Sequence, residues 1–269
     1  MLAAIVVATP SIASAEPSYE LKRTNTTFLL AESGASLALL IGGNLFDTPS
    51  KCRWCESNAF DNAGHDAFRV DNPKTANTAS NLVAFAAVPA AGLAAASVIP
   101  LFRDQSSDVL PNTALMLNTL MLDVAITAAV KLNVARQRPA FYYGHPEQTS
   151  FAPTAADANL SFFSGHTSVA FCLAASSSTI AFLRGYDYAP YVAVGTGLAA
   201  ASAGMLRIAA EAHWPTDVIA GAAVGTAIGA GIPLLLHARS RTSPTSLPTV
   251  TAVPPVGTAP AQVSLTMLW

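Results

Sequence analysis

Lys131-Leu-Asn-Val-Ala-Arg136-Gln-Arg138-Pro139 closes one apolar segment, Phe163-Ser164-Gly165-His166 opens another, and Leu206-Arg207-Ile-Ala-Ala-Glu211-Ala-His213-Trp214-Pro-Thr-Asp217 joins two more. These polar clusters punctuate charge-poor stretches at 80–102, 112–133, 167–183, 189–206 and 218–236, with a sixth, 26–46, that contains Glu32. Crossing a membrane takes about 20 apolar residues in a helix. Strand-type alternation is scarce. The pattern predicts an all-α chain, a helical bundle of five to six long apolar helices that span a membrane. The alternative is a soluble bundle with Ala-rich core helices.

Composition points the same way. Hydrophobic residues make up 52% and charged residues 11%, against roughly 25% charged in ordinary soluble domains. Mean hydropathy is +0.42, modest for several spans because so much of the apolar content is Ala. A net charge of −2 with no basic run excludes a nucleic-acid partner.

Three regions follow. Residues 1–15 form a short apolar run ending in Ala13-Ser14-Ala15, the small-residue pattern of a signal peptide, or else an N-terminal apolar segment. Residues 16–237 form the helical domain. The Ser-, Thr- and Pro-rich stretch 238–269 reads as a disordered tail. If all six segments span, Lys22, Arg23, Arg103, Arg184, Arg239 and Arg241 lie on one side. The positive-inside tendency makes that side cytoplasmic, so the clusters face outward. Cleavage after Ala15 would invert a six-span chain.

Residues 47–79 read as a polar loop with a short surface helix. Its Cys52-Arg-Trp-Cys55 pair reads as a local disulfide or an inert pair, and Cys172 as a packing residue.

The clusters carry phosphate chemistry. A phosphate ester is an anion, and holding it needs several converging cations. Lys131 and Arg138, seven positions apart, would share one helix face if the helix continued, and Arg207 arrives from another segment. Ser164 and Gly165 stand at a helix start, where unpaired N–H groups attract anions. Asp217 can fix the tautomer of His213 and make its other nitrogen a nucleophile. A second imidazole, His166, can serve as the acid.

With their spacings, the clusters resemble the type-2 phosphatidic acid phosphatase superfamily, which also includes bacterial non-specific acid phosphatases and vanadium haloperoxidases. Its pattern is Lys-x6-Arg-Pro, Pro-Ser-Gly-His and Ser-Arg-x5-His-x3-Asp. Lys131–Pro139 matches the first element in full. The second departs at Phe163 and the third at Leu206, and the resemblance covers 112–236. It implies a lipid phosphate hydrolase with His213 as the nucleophile of a phosphohistidine intermediate, Asp217 orienting it, and His166 as general acid. Lys131, Arg138, Arg207, Ser164 and Gly165 would hold the phosphate. It also implies no metal and no cofactor, a phosphorylated lipid or small phosphoester as substrate, and a bacterial inner membrane location with the site facing the periplasm. Leu206 in place of Ser predicts a lost hydrogen bond to phosphate. A soluble periplasmic acid phosphatase, a vanadium-dependent haloperoxidase and a non-catalytic membrane protein are the competing readings.

Other residues enter as lesser candidates. Asp123 either faces the site, with Arg207 as a partner, or packs between helices. Glu211 reads as a solvated neighbour of His213. Tyr142, Tyr143 and His145 read as surface-loop residues, and Trp54 and Trp214 as interfacial anchors.

Overall fold

In the computed structural model, the described residues are 19–21, 26–43, 47–151, 154–240, 249–253 and 262–266. Residues 1–15, read above as a leader, lie outside them. The chain divides into two units, Leu21–Arg239 and a smaller one made of Met1–Glu20 with Ser240–Trp269. In the smaller unit Thr249–Val253 pairs antiparallel with Gln262–Thr266, Thr249 opposite Thr266. The first of these strands, rich in β-branched Thr and Val, suits a pleated pair, in a stretch whose composition predicts no regular element.

The larger unit is helical. Helix α1 (Thr26–Gly43) is followed by short α2 (Ala59–Phe68) and then by α3 (Pro73–Phe102), α4 (Ser106–Val134), α5 (Pro139–Tyr142), α6 (Ala155–Asn159), α7 (Gly165–Leu183), α8 (Ala189–Ala209) and α9 (Pro215–Leu235). Helices α3, α4, α7, α8 and α9 are long and apolar enough to cross a membrane, whereas the apolar part of α1 is only Leu29–Leu39. Their outward side chains are apolar, among them Phe102, Leu110, Tyr191, Leu198, Ile219 and Leu235. Helix α7 is central, with 72% of its most apolar stretch buried against 22–39% for the other four.

Two local features shape the bundle. The prolines inside α3 fall where i→i+4 bonding is interrupted, because proline has no N–H and crowds the preceding turn. The chain answers with wider turns at Val83–Ala87 and Ala94–Val98, just before Pro89 and Pro100, where Val88 N–H reaches Val83 and Ile99 N–H reaches Ala94. The second feature is a glycine seam. A Cβ on Gly221, Gly225 or Gly229 of α9 would lie 2.6, 2.1 or 2.2 Å from the carbonyl oxygens of Ser164, Ser168 and Cys172 on α7. Only glycine permits this approach, in which one backbone rests on another.

Successive long helices run in opposite directions, which is visible at the end remote from the three clusters. There Arg103, after α3, pairs with Asp187 before α8 at 2.5 Å, and Arg184, after α7, pairs with Asp108 in the first turn of α4 at 3.2 Å. Antiparallel packing therefore gathers the first turns of α3, α7 and α9 with the last turns of α4 and α8 at the opposite end.

Candidate active site

Lys131 lies in the last turn of α4 and Arg207 in the last turn of α8. His166 lies in the first turn of α7 and Asp217 in the first turn of α9. His213 stands in the turn between α8 and α9. Lys131 and Arg138 do not share a helix face, contrary to the simplest reading of their spacing. Helix α4 stops at Val134, Ala135 takes left-handed backbone at φ 48°, and Arg136 to Arg138 run extended. Two causes act here. Pro139 biases Arg138 away from helix, and it has φ −76° and ψ 152°. The main chain at Arg136 also pairs with the Cys52–Cys55 loop, through Arg53 N–H to Ala135 O at 3.0 Å and Gln137 N–H to Trp54 O at 3.0 Å.

Arg138 and Arg207 are buried, Lys131 is half-buried, and all three are mostly bonded to neutral groups. Lys131 Nζ donates to the carbonyls of Leu160 at 2.6 Å and Ser161 at 3.3 Å. Arg138 donates to the carbonyls of Asp157 at 2.6 Å and Ala212 at 2.8 Å. Arg207 donates to Asn77 Oδ1, and its Nε is buried without an acceptor among the described residues. Neither Lys131 nor Arg207 has a salt bridge to a carboxylate among those residues. Buried cations in this state are costly unless an anion joins them. Burial lowers Arg138 to about 10, with the carboxylates of Asp157 and Asp217 opposing.

His213 faces these cations. Its Nε2 lies 3.3 Å from Arg138 Nη1, and a guanidinium can only donate, so Nε2 carries the lone pair and Nδ1 the proton. Burial holds His213 well below its ordinary value, and the positive charges of Lys131, Arg138 and Arg207, with His166, push it further down. The imidazole is neutral, and its lone pair accepts from Arg138 in the cation cluster. The expected Asp217–His213 contact is an ion-pair distance of 3.7 Å, not a direct hydrogen bond. Ser161 stands between them, its Oγ 3.5 Å from His213 Nδ1 and donating to Asp217 Oδ2 at 2.5 Å.

Ser164 caps α7 without a side-chain bond to its backbone. Its Oγ accepts from Thr167 at 2.8 Å, and its N–H goes to the Asp217 carbonyl at 3.0 Å. At Gly165 an added Cβ would lie 3.2 Å from Thr127 Cγ2 and 3.6 Å from Lys131 Cε, so glycine lets the start of α7 sit against α4. His166 Nε2 bonds Asn81 Oδ1 at 2.7 Å, and its ring packs on Phe85 at 4.5 Å.

The structure decides several lesser readings. Asp123 is fully buried and accepts from Ser168 at 2.5 Å in the α4–α7 interface, a packing role away from Arg207. Trp214 is buried, with its Nε1–H on Gln137 O at 2.8 Å, and is no interfacial anchor. Leu206 packs against the Ala76, Ala209, Ala210 and Ala212 cluster, so the departure from Ser serves packing. Phe163, in place of Pro, is buried as well. Cys52 and Cys55 are disulfide-bonded, and Cys172 is a buried free thiol.

Glu211 is not solvated. It is buried at φ 55°, with Oε1 3.3 Å from His65 Nε2 and Oε2 3.0 Å from His145 Nδ1, while His65 Nδ1 lies 3.2 Å from Asp66 and its ring stacks on Tyr143. Burial pulls His65 down, but hydrogen bonds and charge from Glu211 and Asp66 outweigh it and leave His65 raised. A raised histidine contributes stability that is complete below its unfolded value and is lost as pH rises through its folded one. Wild type is therefore expected to exceed Glu211→Gln by about 1.5–3 kcal/mol at acid pH, the size of a hydrogen bond to a charged group. The gap should shrink above neutrality, and thermal melts across that range measure it. A gap independent of pH would rule the charged pair out.

The sequence reading missed five polar residues here: Asp61, Asn77, Asn81, Arg136 and Ser161. Asn77 and Asn81 sit four apart on the first turns of α3, the spacing of one helix face, and that spacing was the available signal. Asp61 and Arg136 had none, because a lone Asp in a polar loop and the middle cation of a cluster look ordinary.

Residues 112–241 match the family model described as the PAP2 superfamily. No curated protein matches the chain. Among solved structures, the chain is similar to the first transmembrane PAP2 type phosphatidylglycerolphosphate phosphatase from Bacillus subtilis, at 20% identity and a TM-score of 0.46, over 75% of this chain and 92% of that one. The matched region, just under half of the chain, holds all three clusters and most of the helices α4, α7, α8 and α9 that carry them, and over it the chain is similar to the PAP2 superfamily.

Proposed function

We propose that the protein hydrolyses a phosphate ester or pyrophosphate of a membrane lipid through a phosphohistidine at His213. The observation that carries this reading is the junction of two environments at His166. On one side lie Lys131, Arg138, Arg207 and the neutral His213. On the other, Phe85 opens an apolar cleft of about 340 Å³ between α3, α4 and α7, lined by Pro89, Leu93, Met116, Leu120 and Leu173 among others. Such a junction accommodates a molecule with an anionic head and an apolar tail.

The steps follow from the residues. Lys131, Arg138 and Arg207 take the non-bridging oxygens, with Arg207 Nε and the N–H groups at the start of α7 as open donors. Arg138 leaves His213 Nε2 as it takes the phosphate. Nε2 attacks phosphorus, the P–O bond to the lipid breaks, and His166 passes a proton to the leaving oxygen. Asp217 and Ser161 stabilise the imidazolium that results. Water then attacks phosphorus, giving its proton to His166 as the P–N bond breaks, and His213 is restored with release of orthophosphate. Bringing in a phosphate dianion favours the protonated form of His166 that the first step needs.

Charge supports an orientation. Arg103 and Arg184 favour a cytoplasmic far end. The site end, which also holds the Cys52–Cys55 disulfide, then faces the oxidising periplasmic side of a bacterial inner membrane.

Detergent-solubilised protein is expected to release phosphate from a long-chain lipid phosphate in the presence of a chelator. Phe85→Trp, which fills the mouth of the cleft, is expected to raise KM for that lipid about tenfold while leaving a small soluble phosphoester within about twofold, since a blocked tail site costs a few methylene burials. Equal effects on both substrates would remove the lipid reading and leave a general phosphatase.

A further inference from the structure

Arg136 is fully buried, yet it does not belong to the cation cluster that faces His213. Its guanidinium lies between two carboxylates that are also fully buried. Nη1 donates to Asp217 Oδ1 at 2.5 Å, and Nη2 to Asp61 Oδ2 at 2.6 Å. Trp54 covers its face at 3.8 Å from Arg136 Cζ to the ring centre, and Trp214 lies on it at 5.5 Å. Thr216 completes the bracket. It gives its N–H and its hydroxyl to Asp61 Oδ1 at 2.9 and 2.8 Å, and its Oγ accepts from Arg136 at 2.7 Å.

This arrangement partitions Asp217. One oxygen, Oδ1, belongs to Arg136. The other, Oδ2, receives Ser161 Oγ–H at 2.5 Å and the Trp214 N–H at 3.0 Å, and it is the oxygen nearest His213. Without Arg136 only Ser161 and the Trp214 N–H would hold the Asp217 carboxylate against the pull of Lys131, Arg138 and Arg207. Turned toward them, it would neutralise the phosphate site and abandon His213. Charge closes the account: Asp61, Arg136 and Asp217 sum to −1, which matches the single positive charge that His213 gains when it is phosphorylated.

We propose that Arg136, gripped by Asp61 and covered by Trp54, is a positioning residue that sets the catalytic geometry of His213 through Asp217. The inference rests on the reading of His213 as nucleophile. The groups facing His213 are Lys131 from α4, Arg138 before α5, His166 from α7, Arg207 from α8 and Asp217 from α9. Asp61 and Arg136 stand behind Asp217. Glu211, two positions before His213, is engaged with His65 and His145.

The test compares Arg136→Lys and Arg136→Gln with wild type and His213→Ala, in detergent, on one lipid phosphate. Lys keeps the charge but cannot fork between two carboxylates. Arg136→Lys is expected to lose about 100-fold in kcat, the scale of a small misplacement of a reacting group, with KM within about threefold. In Arg136→Gln two carboxylates remain unopposed, which favours protonated His213. The acid limb of its kcat/KM profile, taken as a ratio to wild type so that substrate ionisation cancels, is expected to move up by about one pH unit. Orthophosphate binding, followed calorimetrically, reports folding of each variant. If Arg136→Gln does not fold, Arg136→Lys decides alone. Wild-type kcat in Arg136→Lys overturns the proposal. So does a loss of kcat that is uniform with pH and matched by a loss of phosphate affinity, the mark of a merely structural role. An active His213→Ala would defeat the functional reading itself, whereas an inert His213→Ala with unaffected Arg136 variants would defeat only the positioning role.

Discussion

Replacing His213 with Ala is expected to lower kcat by about 10⁴- to 10⁶-fold, the range seen when a covalent nucleophile is deleted from a group of residues that act as a unit. Two structural facts set the scale. The Nε2 lone pair, 3.3 Å from Arg138, is the only imidazole lone pair shown pointing into the cation cluster among the described residues, since His166 Nε2 is bonded to Asn81. Burial and the surrounding positive charge also keep His213 neutral, so its lone pair is available without a separate base. The variant should keep its affinity for orthophosphate, because Lys131, Arg138 and Arg207 are untouched. Phosphate binding retained beside lost turnover separates a missing nucleophile from a misfolded chain. A trapped acid-labile phosphoenzyme in wild type and none in the variant is the matching chemical readout. Turnover within tenfold of wild type would remove His213 from the chemistry.

Gly225→Leu is expected to have the largest effect on stability. An added Cβ there would lie 2.1 Å from the Ser168 carbonyl oxygen, and no rotamer change relieves a clash with backbone. Helices α7 and α9 must separate. Overpacking inside a well-packed core costs about 1–3 kcal/mol, and a backbone collision exceeds that range. At about 2–4 °C per kcal/mol for a domain of this size, a loss of 6–12 °C or more in Tm is expected for Leu. Ala at Gly221 or Gly229 should follow the same order, since their Cβ positions lie 2.6 and 2.2 Å from carbonyl oxygens. Gly231 is the control. Nothing lies within 4 Å of its Cβ position, so Gly231→Ala should be neutral or slightly stabilising. Equal melting of the Gly225 and Gly231 variants would dismiss the seam. Separation would also pull His166 from Asp217, so activity should fail with stability.

Much of this was legible from the chain. Long charge-poor segments gave the helices because apolar length is a local property. The polar clusters gave Lys131, Arg138, His166, Arg207, His213 and Asp217 because fixed spacings survive in a linear code. Spacing misled where one residue broke the period: left-handed Ala135 ends α4, so Lys131 and Arg138 meet through a turn and not along a face. Asp61 and Asn77 were hidden in a polar stretch, and Asn81 at the start of an apolar one, because they acquire meaning only from partners 75 to 155 positions away. Glu211 looked solvated because nothing in its neighbours announces His65, 146 positions earlier.

The charges at the helix ends also bear on how the protein is made. Lys131 and Arg207 lie in last turns, and Asp217 and His166 in first turns. A segment with a charge at its centre resists entry into the bilayer by about 2.5–3.5 kcal/mol, and the penalty fades towards the ends. Each helix can therefore insert singly, with its ionised group left at the lipid–water boundary. Asp123, in the middle of α4, is the exception and finds Ser168 only after α7 arrives. The candidate site is thus a product of late assembly, formed when independently inserted rods come together.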